Sequence, residues 1–227
     1  MNAAYRLVPT VLVLALFVGG CVAPDAGHRK PAQPGPVRVA CVGDSITYGS
    51  GVQGRETNSY PVVLGRMLGA RYEVRNFGVS GATLLKQGDH PWWKTKAFAD
   101  ATAYAPDVVI IKLGTNDSKP QNWEHKGAFA SDARALVEHF RALPSRPLVY
   151  LCLPVPVYQD RWGINEATVK GEVIPMIRGV AKELCVPVID LYGAMKNRAE
   201  VFPDGVHPNH VGAAQLAQAV LYEIAAH

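Results

Sequence analysis

Four short segments of the chain hold residue types that could do chemistry together. They are Gly43-Asp44-Ser45, Asn76-Phe77-Gly78-Val79-Ser80-Gly81, Gly114-Thr115-Asn116-Asp117 and Asp204-Gly205-Val206-His207. A serine hydroxyl is a poor nucleophile until a base takes its proton. Histidine suits that role because it titrates near neutrality. A carboxylate on the other ring nitrogen fixes the tautomer and stabilises the imidazolium. A developing oxyanion needs fixed donors, which backbone N–H groups or an asparagine amide can supply. Asp204 and His207 are three residues apart, so one loop could deliver both. Taken singly, each segment also has a purely structural reading, with glycines for turns and Asn or Asp for capping. The serine turn is neither the GxSxG elbow nor a phosphate-binding GxxxxGK[ST] loop. A second chemistry would use Asp44, Asp117, Asp204 and His207 as metal ligands of a phosphoesterase. The chain lacks a matching set of histidines at strand ends, which disfavours it.

The elements that must position these segments alternate. Arg38–Val42, Tyr72–Phe77, Asp107–Leu113, Pro147–Leu153 and Pro187–Leu191 read as strands. The third is β-branched and continuously apolar, as expected for a strand covered on both faces. Helical apolar spacing marks Asn58–Leu68, Gly127–Leu143, Ala167–Leu184 and Asn209–Ala225, with Pro175 and Gly179 as possible kinks in the third. Strands separated by helices predict βαβ units in an α/β three-layer sandwich, flavodoxin-like, with a five-stranded parallel sheet. Sites in such sheets lie beyond the carboxyl ends of the strands. Three of the four segments fall there, and the fourth precedes the last helix.

With those segments in order, the chain resembles the SGNH (GDSL-type) hydrolase superfamily from about Val39 to the last helix. The resemblance implies a serine ester hydrolase without cofactor or metal. It implies Ser45 as nucleophile, His207 as general base and Asp204 as the residue that orients it. It implies an oxyanion hole made by the N–H groups of Ser45 and Gly81 and the Asn116 amide. Gly81 is preferred to Gly78 because the family spacing Asn-x-x-x-x-Gly-x-Thr matches Asn76, Gly81 and Thr83.

Substrate is harder to read, because fold does not select it. The tryptophans Trp92, Trp93, Trp123 and Trp162 all follow strand carboxyl ends. Trp92, Trp93 and Trp123, with Asp44 and Asp117, are expected to line the substrate site. Packing of the loops is the alternative for each tryptophan. His90 and His125 share those loops and read as exposed, as does His210. Lys112, inside the third strand, has no functional account beyond snorkelling or an acidic partner. Leu84–Thr95 and Asn116–Lys126 resemble secreted members that deacetylate carbohydrates. The substrate expected is therefore an O-acetyl ester of a glycan, with sialate and plant or algal polysaccharides as the named kinds. A lipase or thioesterase is the runner-up, and an inactive carbohydrate-binding lipoprotein is the non-enzymatic alternative.

The N-terminus reads as an export signal. Residues 1–20 carry one charge, Arg6, and an apolar run from Val11 to Val18. That run is shorter than the roughly 20 residues a membrane-spanning helix needs. Val18-Gly19-Gly20-Cys21 resembles a bacterial lipobox, so Cys21 is expected to be lipidated. Residues 21–36 then form a proline-rich tether, and 37–227 form one hydrolase domain. The expected location is the bacterial cell envelope, membrane-bound only through the lipid, with secretion as the alternative. Cys41, Cys152 and Cys185 show no metal-ligand spacing and read as core thiols, although export permits one disulfide. The whole chain has 227 residues and a formal net charge of +4, with 23 basic and 19 acidic residues interspersed. That balance argues against a nucleic-acid partner, and the apolar content excludes disorder. The oligomeric state is left open.

Overall fold

The computed structural model describes residues 35–225. The expected export signal, the expected lipidation at Cys21 and the expected tether up to residue 34 lie outside the described residues.

Five strands form one parallel sheet: β1 (Val37–Gly43), β2 (Tyr72–Gly78), β3 (Val108–Lys112), β4 (Leu148–Cys152) and β5 (Val188–Ile189). Their order is β2-β1-β3-β4-β5. The chain first steps from β1 outward to β2, then reverses and runs from β3 to β5. Right-handed crossovers put helices on opposite faces when the direction reverses. Helices Tyr60–Leu68 and His210–Ala225 accordingly share one face, and helices Phe129–Arg141 and Ile174–Glu183 cover the other.

The strand side chains divide the same way. Val39, Cys41, Val108 and Ile110 pack with Leu64 and Leu216. Ala40, Val42, Val109 and Ile111 pack with Leu136 and Ile177. Burial on both faces is why these strands are apolar at every position rather than at every second one. Cys41 and Cys152 are buried in the first layer without a disulfide. Burial pushes the Cys41 thiol up to about 12, despite a hydrogen bond from Tyr60 that lowers it. Cys185 is only partly buried, so it is not the core residue expected.

Register brings the site together. Gly43, the last residue of β1, pairs with Gly78 of β2 and with Lys112 of β3. The segments beginning at Asp44, Val79 and Leu113 therefore leave the sheet level with one another, at the reversal of strand order where α/β sheets open a crevice.

Two elements differ from expectation. A helix at Lys96–Ala103 joins β2 to β3 where none was predicted. Its inward face is Ala97, Phe98 and Ala101, a short and mostly alanine stripe of which Ala101 alone is fully buried. The helix expected over Ala167–Leu184 is a short turn, a wide π-type turn at Val169–Val173 and a regular helix at Ile174–Glu183. Pro175 sits in the first turn of that last piece. Its ring and missing N–H disrupt the turn before it, whereas Gly179 does not interrupt the helix.

Candidate active site

Ser45 opens a four-residue helix, Ser45–Tyr48, directly after β1. Asp44 caps it, accepting the Ile46 N–H at 3.0 Å. The tight packing of this turn explains its neighbouring glycines. A Cβ on Gly43 would lie 2.6 Å from the Lys112 carbonyl oxygen, and one on Gly78 would lie 2.2 Å from the Tyr48 nitrogen.

Below the turn, Lys112 resolves its own anomaly. Lys112 Nζ donates to Asp44 at 2.9 and 3.1 Å and to Thr115 Oγ1 at 2.8 Å. Both members of the ion pair are fully buried. Asp44 is therefore not a substrate-binding residue, as was expected; its carboxylate is enclosed and committed to Ile46 and Lys112.

Asp204 and His207 come from the loop before the last helix. Asp204 Oδ1 accepts the N–H groups of Val206 at 2.8 Å and His207 at 2.7 Å. Its other oxygen lies 2.8 Å from His207 Nδ1. His207 Nε2 lies 2.9 Å from Ser45 Oγ. The structure thus joins residues 162 positions apart into one hydrogen-bonded chain. An ionised carboxylate only accepts, so Nδ1 carries the ring proton and Nε2 is left to accept from the serine. Burial pushes the Asp204 carboxyl up, but hydrogen bonds from the His207 backbone and ring and from Val206 outweigh it and hold it below its ordinary 3.8. The loop is docked on the segment after β4, where Tyr158 N–H donates to the Gly205 carbonyl at 2.7 Å.

Gly81 and Asn116 stand on the segments that follow β2 and β3, which leave the sheet beside the end of β1. Gly81 has φ +81, and a Cβ there would meet nothing within 4 Å. The glycine is needed for its backbone conformation, not for space. Asn116 Nδ2 donates one N–H to the Ala82 carbonyl at 3.1 Å. The amide has a second N–H. The bond to Ala82 ties the asparagine to the Gly81 loop. Among the described residues, the Ser45 and Gly81 N–H groups are not taken by another acceptor.

Asp117 also departs from the substrate role expected of it. It is fully buried and accepts Leu84 N–H at 3.0 Å and Leu85 N–H at 2.7 Å. It anchors the loop after Gly81 from beneath. Burial pushes its carboxyl up to about 7, against the lowering effect of those two N–H groups.

The tryptophans sort differently from expectation. Trp92 is fully buried and donates to the Phe77 carbonyl at 3.0 Å. Trp93 donates to the Leu84 carbonyl at 2.8 Å and carries the Lys86 ammonium 4.3 Å above its ring. These two are loop packing and leave the substrate list. Trp123 lines a cleft of about 630 Å³ with Trp162, Ser118, Lys126, Asp160 and Asn165. Trp162, which was not assigned to the site, has its ring 5.4 Å from the His207 ring. Arg161 and Ile164 bridge across Trp162 and Gly163 in a two-residue turn. His90 and His210 are exposed, as expected, and His125 is half-buried.

A family model described as GDSL-like Lipase/Acylhydrolase matches residues 41–215. The chain belongs to that family. This GDSL-like hydrolase is 39% identical over 218 residues to an acetylxylan esterase of Xylanibacter ruminicola, covering 86% of this chain and 45% of that protein. It is 21% identical over 247 residues to a multidomain esterase of Ruminococcus flavefaciens, covering 93% of this chain and 31% of the relative. The GDSL-like chain thus spans less than half the length of these two relatives. The crystal structure of Axe2, an acetylxylan esterase from Geobacillus stearothermophilus, shares its fold with a TM-score of 0.66 at 22% identity, covering 84% of this chain and 95% of that one.

Proposed function

We propose that this GDSL-like hydrolase is a serine ester hydrolase that removes acetyl groups from carbohydrates. The observation that carries the reading is the hydrogen-bonded chain Ser45–His207–Asp204, with contacts of 2.9 and 2.8 Å. In this reading His207 Nε2 takes the Ser45 proton as Oγ attacks the ester carbonyl carbon. The oxyanion receives the N–H groups of Ser45 and Gly81 and the free N–H of Asn116. The carbon–oxygen bond to the sugar breaks, and His207 returns the proton to the departing hydroxyl. Water, deprotonated by His207, then attacks the acetyl-serine, and acetate leaves with the Ser45 hydroxyl restored. Asp204 keeps the proton on Nδ1 and stabilises the imidazolium.

The acetyl and carbohydrate parts rest on the relatives' names, above all the acetylxylan esterase at 39% identity. Among the glycans named above, a plant-type polysaccharide such as xylan is therefore favoured. The test is hydrolysis of p-nitrophenyl acetate, p-nitrophenyl octanoate and acetylated xylan by wild type and Ser45→Ala. Acetate release that disappears in the variant is the expected result. A preference for octanoate would instead favour a lipase, and Ser45-independent rates would sink the mechanism.

Export and lipid anchoring at Cys21 complete the proposal, supported by the apolar run Val11–Val18 and the Gly-Gly-Cys at its end. Palmitate labelling in a bacterial host, with Cys21→Ala as control, is the test. Label that persists in the variant rejects the anchor.

A further inference from the structure

Trp162 occupies a position its side chain does not favour. Trp162 and Gly163 have φ +52 and φ +81, and Arg161 and Ile164 bridge across them. A two-residue turn of this kind needs positive φ at both central positions, and Asn-Gly meets that requirement most easily. A bulky residue there is a genuine outlier whose backbone strain something else must offset. Burial does not offset it, because the ring is 58% exposed. The ring instead lies beside the His207 ring, with the Arg161 guanidinium 5.2 Å from its centroid.

The ring borders the cleft of about 630 Å³ that runs between the segments after β3 and β4. Trp123, buried and packed edge-on against Phe129, forms part of the wall and belongs to the first of those segments. That segment also holds Asn116 and Ser118. Ser118 Oγ accepts the Asn165 N–H at 3.0 Å, so the two walls are joined at the base. Glu124, Lys126, Asp160 and Arg161 stand around the cleft. Four charged side chains make a poor wall for a long acyl chain, whose burial would strip water from them. The exposed Trp162 indole with a rim of donors and acceptors matches a sugar ring, which has apolar C–H faces and an equator of hydroxyls. The space is also far larger than an acetyl group requires.

We propose that Trp162, with the polar residues of this cleft, forms a subsite beside the nucleophile that takes the unreacted sugar units of a xylan-type chain, while one acetyl ester sits at Ser45. The proposal rests on the ester-hydrolase reading for its second half only; the binding itself can be measured without catalysis. Xylohexaose titrated into the Ser45→Ala protein is expected to change its tryptophan fluorescence saturably, and the change is expected to vanish in Ser45→Ala/Trp162→Ala. No saturable change at millimolar xylohexaose, or one that survives removal of Trp162, overturns the subsite.

Kinetics form the second arm. The specificity constant of Trp162→Ala is expected to fall about tenfold or more further on acetylated xylohexaose than on p-nitrophenyl acetate, mainly through KM, and Trp162→Tyr is expected to recover most of it. Equal losses on both substrates would make Trp162 a positioning residue for His207 and reject the subsite. Wild type inactive on both esters, with xylohexaose still bound through Trp162, would reject the esterase reading and leave the subsite standing.

Discussion

Lys112 Nζ lies 2.9 Å from Asp44 Oδ2 with both side chains wholly enclosed, directly beneath the turn that presents Ser45. The same ammonium holds Thr115, the residue before Asn116. One cation therefore fixes the root of the Ser45 turn against the segment that carries Asn116. Removing one partner of a buried pair strands the other charge, which costs about 3–5 kcal/mol. Lys112→Met is expected to lower the unfolding free energy by that order. Lys112→Met/Asp44→Asn is expected to recover part of it, because an asparagine still caps Ile46. Urea unfolding of the two variants checks this. A single variant as stable as wild type would show that the pair does not bind the two strand ends together.

Gly81 and Asn116 make separable contributions. In the proposed mechanism Asn116 donates to the oxyanion, so Asn116→Ala is expected to lower kcat by about 10²–10³ with little change in KM. Gly81→Ala meets no steric obstacle but forces an alanine to φ +81. Its strain is on the order of 1 kcal/mol, and its relief would swing the N–H away from the hole. A fall in kcat with a small fall in melting temperature is expected. An alanine variant with unchanged kcat would point to a different glycine as the donor.

How far the site was legible depended on what each residue's job leaves in the sequence. Strands buried on two faces leave unbroken apolar runs, so β1, β3 and β4 could be read directly. β5 could be found but not bounded, because only Val188 and Ile189 pair. The triad was legible through spacing and family likeness. Asp44 and Asp117 were misplaced because a carboxylate in a motif looks the same whether it faces substrate or holds backbone N–H groups from below. Their burial depends on Lys112 and on the Leu84–Leu85 loop, partners 68 and about 32 residues away. Trp92 and Trp162 both follow strand ends, and nothing local says that one ring turns inward and the other outward.

Asp117 makes the stability of this protein depend on pH in an unusual sense. The native carboxyl holds its proton up to about 7, whereas an ordinary aspartate loses it near 3.8. Between those values the folded state binds more protons than the unfolded state. Stability from this group therefore falls as pH rises through the window and levels off above it. Asp117→Asn cannot titrate. It is expected to be less stable at pH 5, having lost an acceptor for Leu84 or Leu85, and to lose less on moving to pH 8. Urea midpoints of both proteins at the two pH values give the comparison, and parallel slopes would remove Asp117 as the source.

Asp204 titrates in the opposite sense, and its replacement separates folding from chemistry. Its native carboxyl is held below 3.8, so the stability it adds is present above that value and is lost as pH falls through the native one. Asp204→Asn is expected to lose that acid-side dependence. The loop is expected to survive, because Oδ1 alone receives the Val206 and His207 N–H groups, and an asparagine oxygen can do the same. The other atom then becomes a donor facing His207 Nδ1. Two donors cannot share a hydrogen bond, so the ring is driven to carry its proton on Nε2. That nitrogen can no longer accept from Ser45 Oγ. A loss of about 10⁴ in kcat is expected, with the melting temperature at neutral pH little changed. A variant that keeps kcat within tenfold of wild type would show that Asp204 does not set the tautomer of His207.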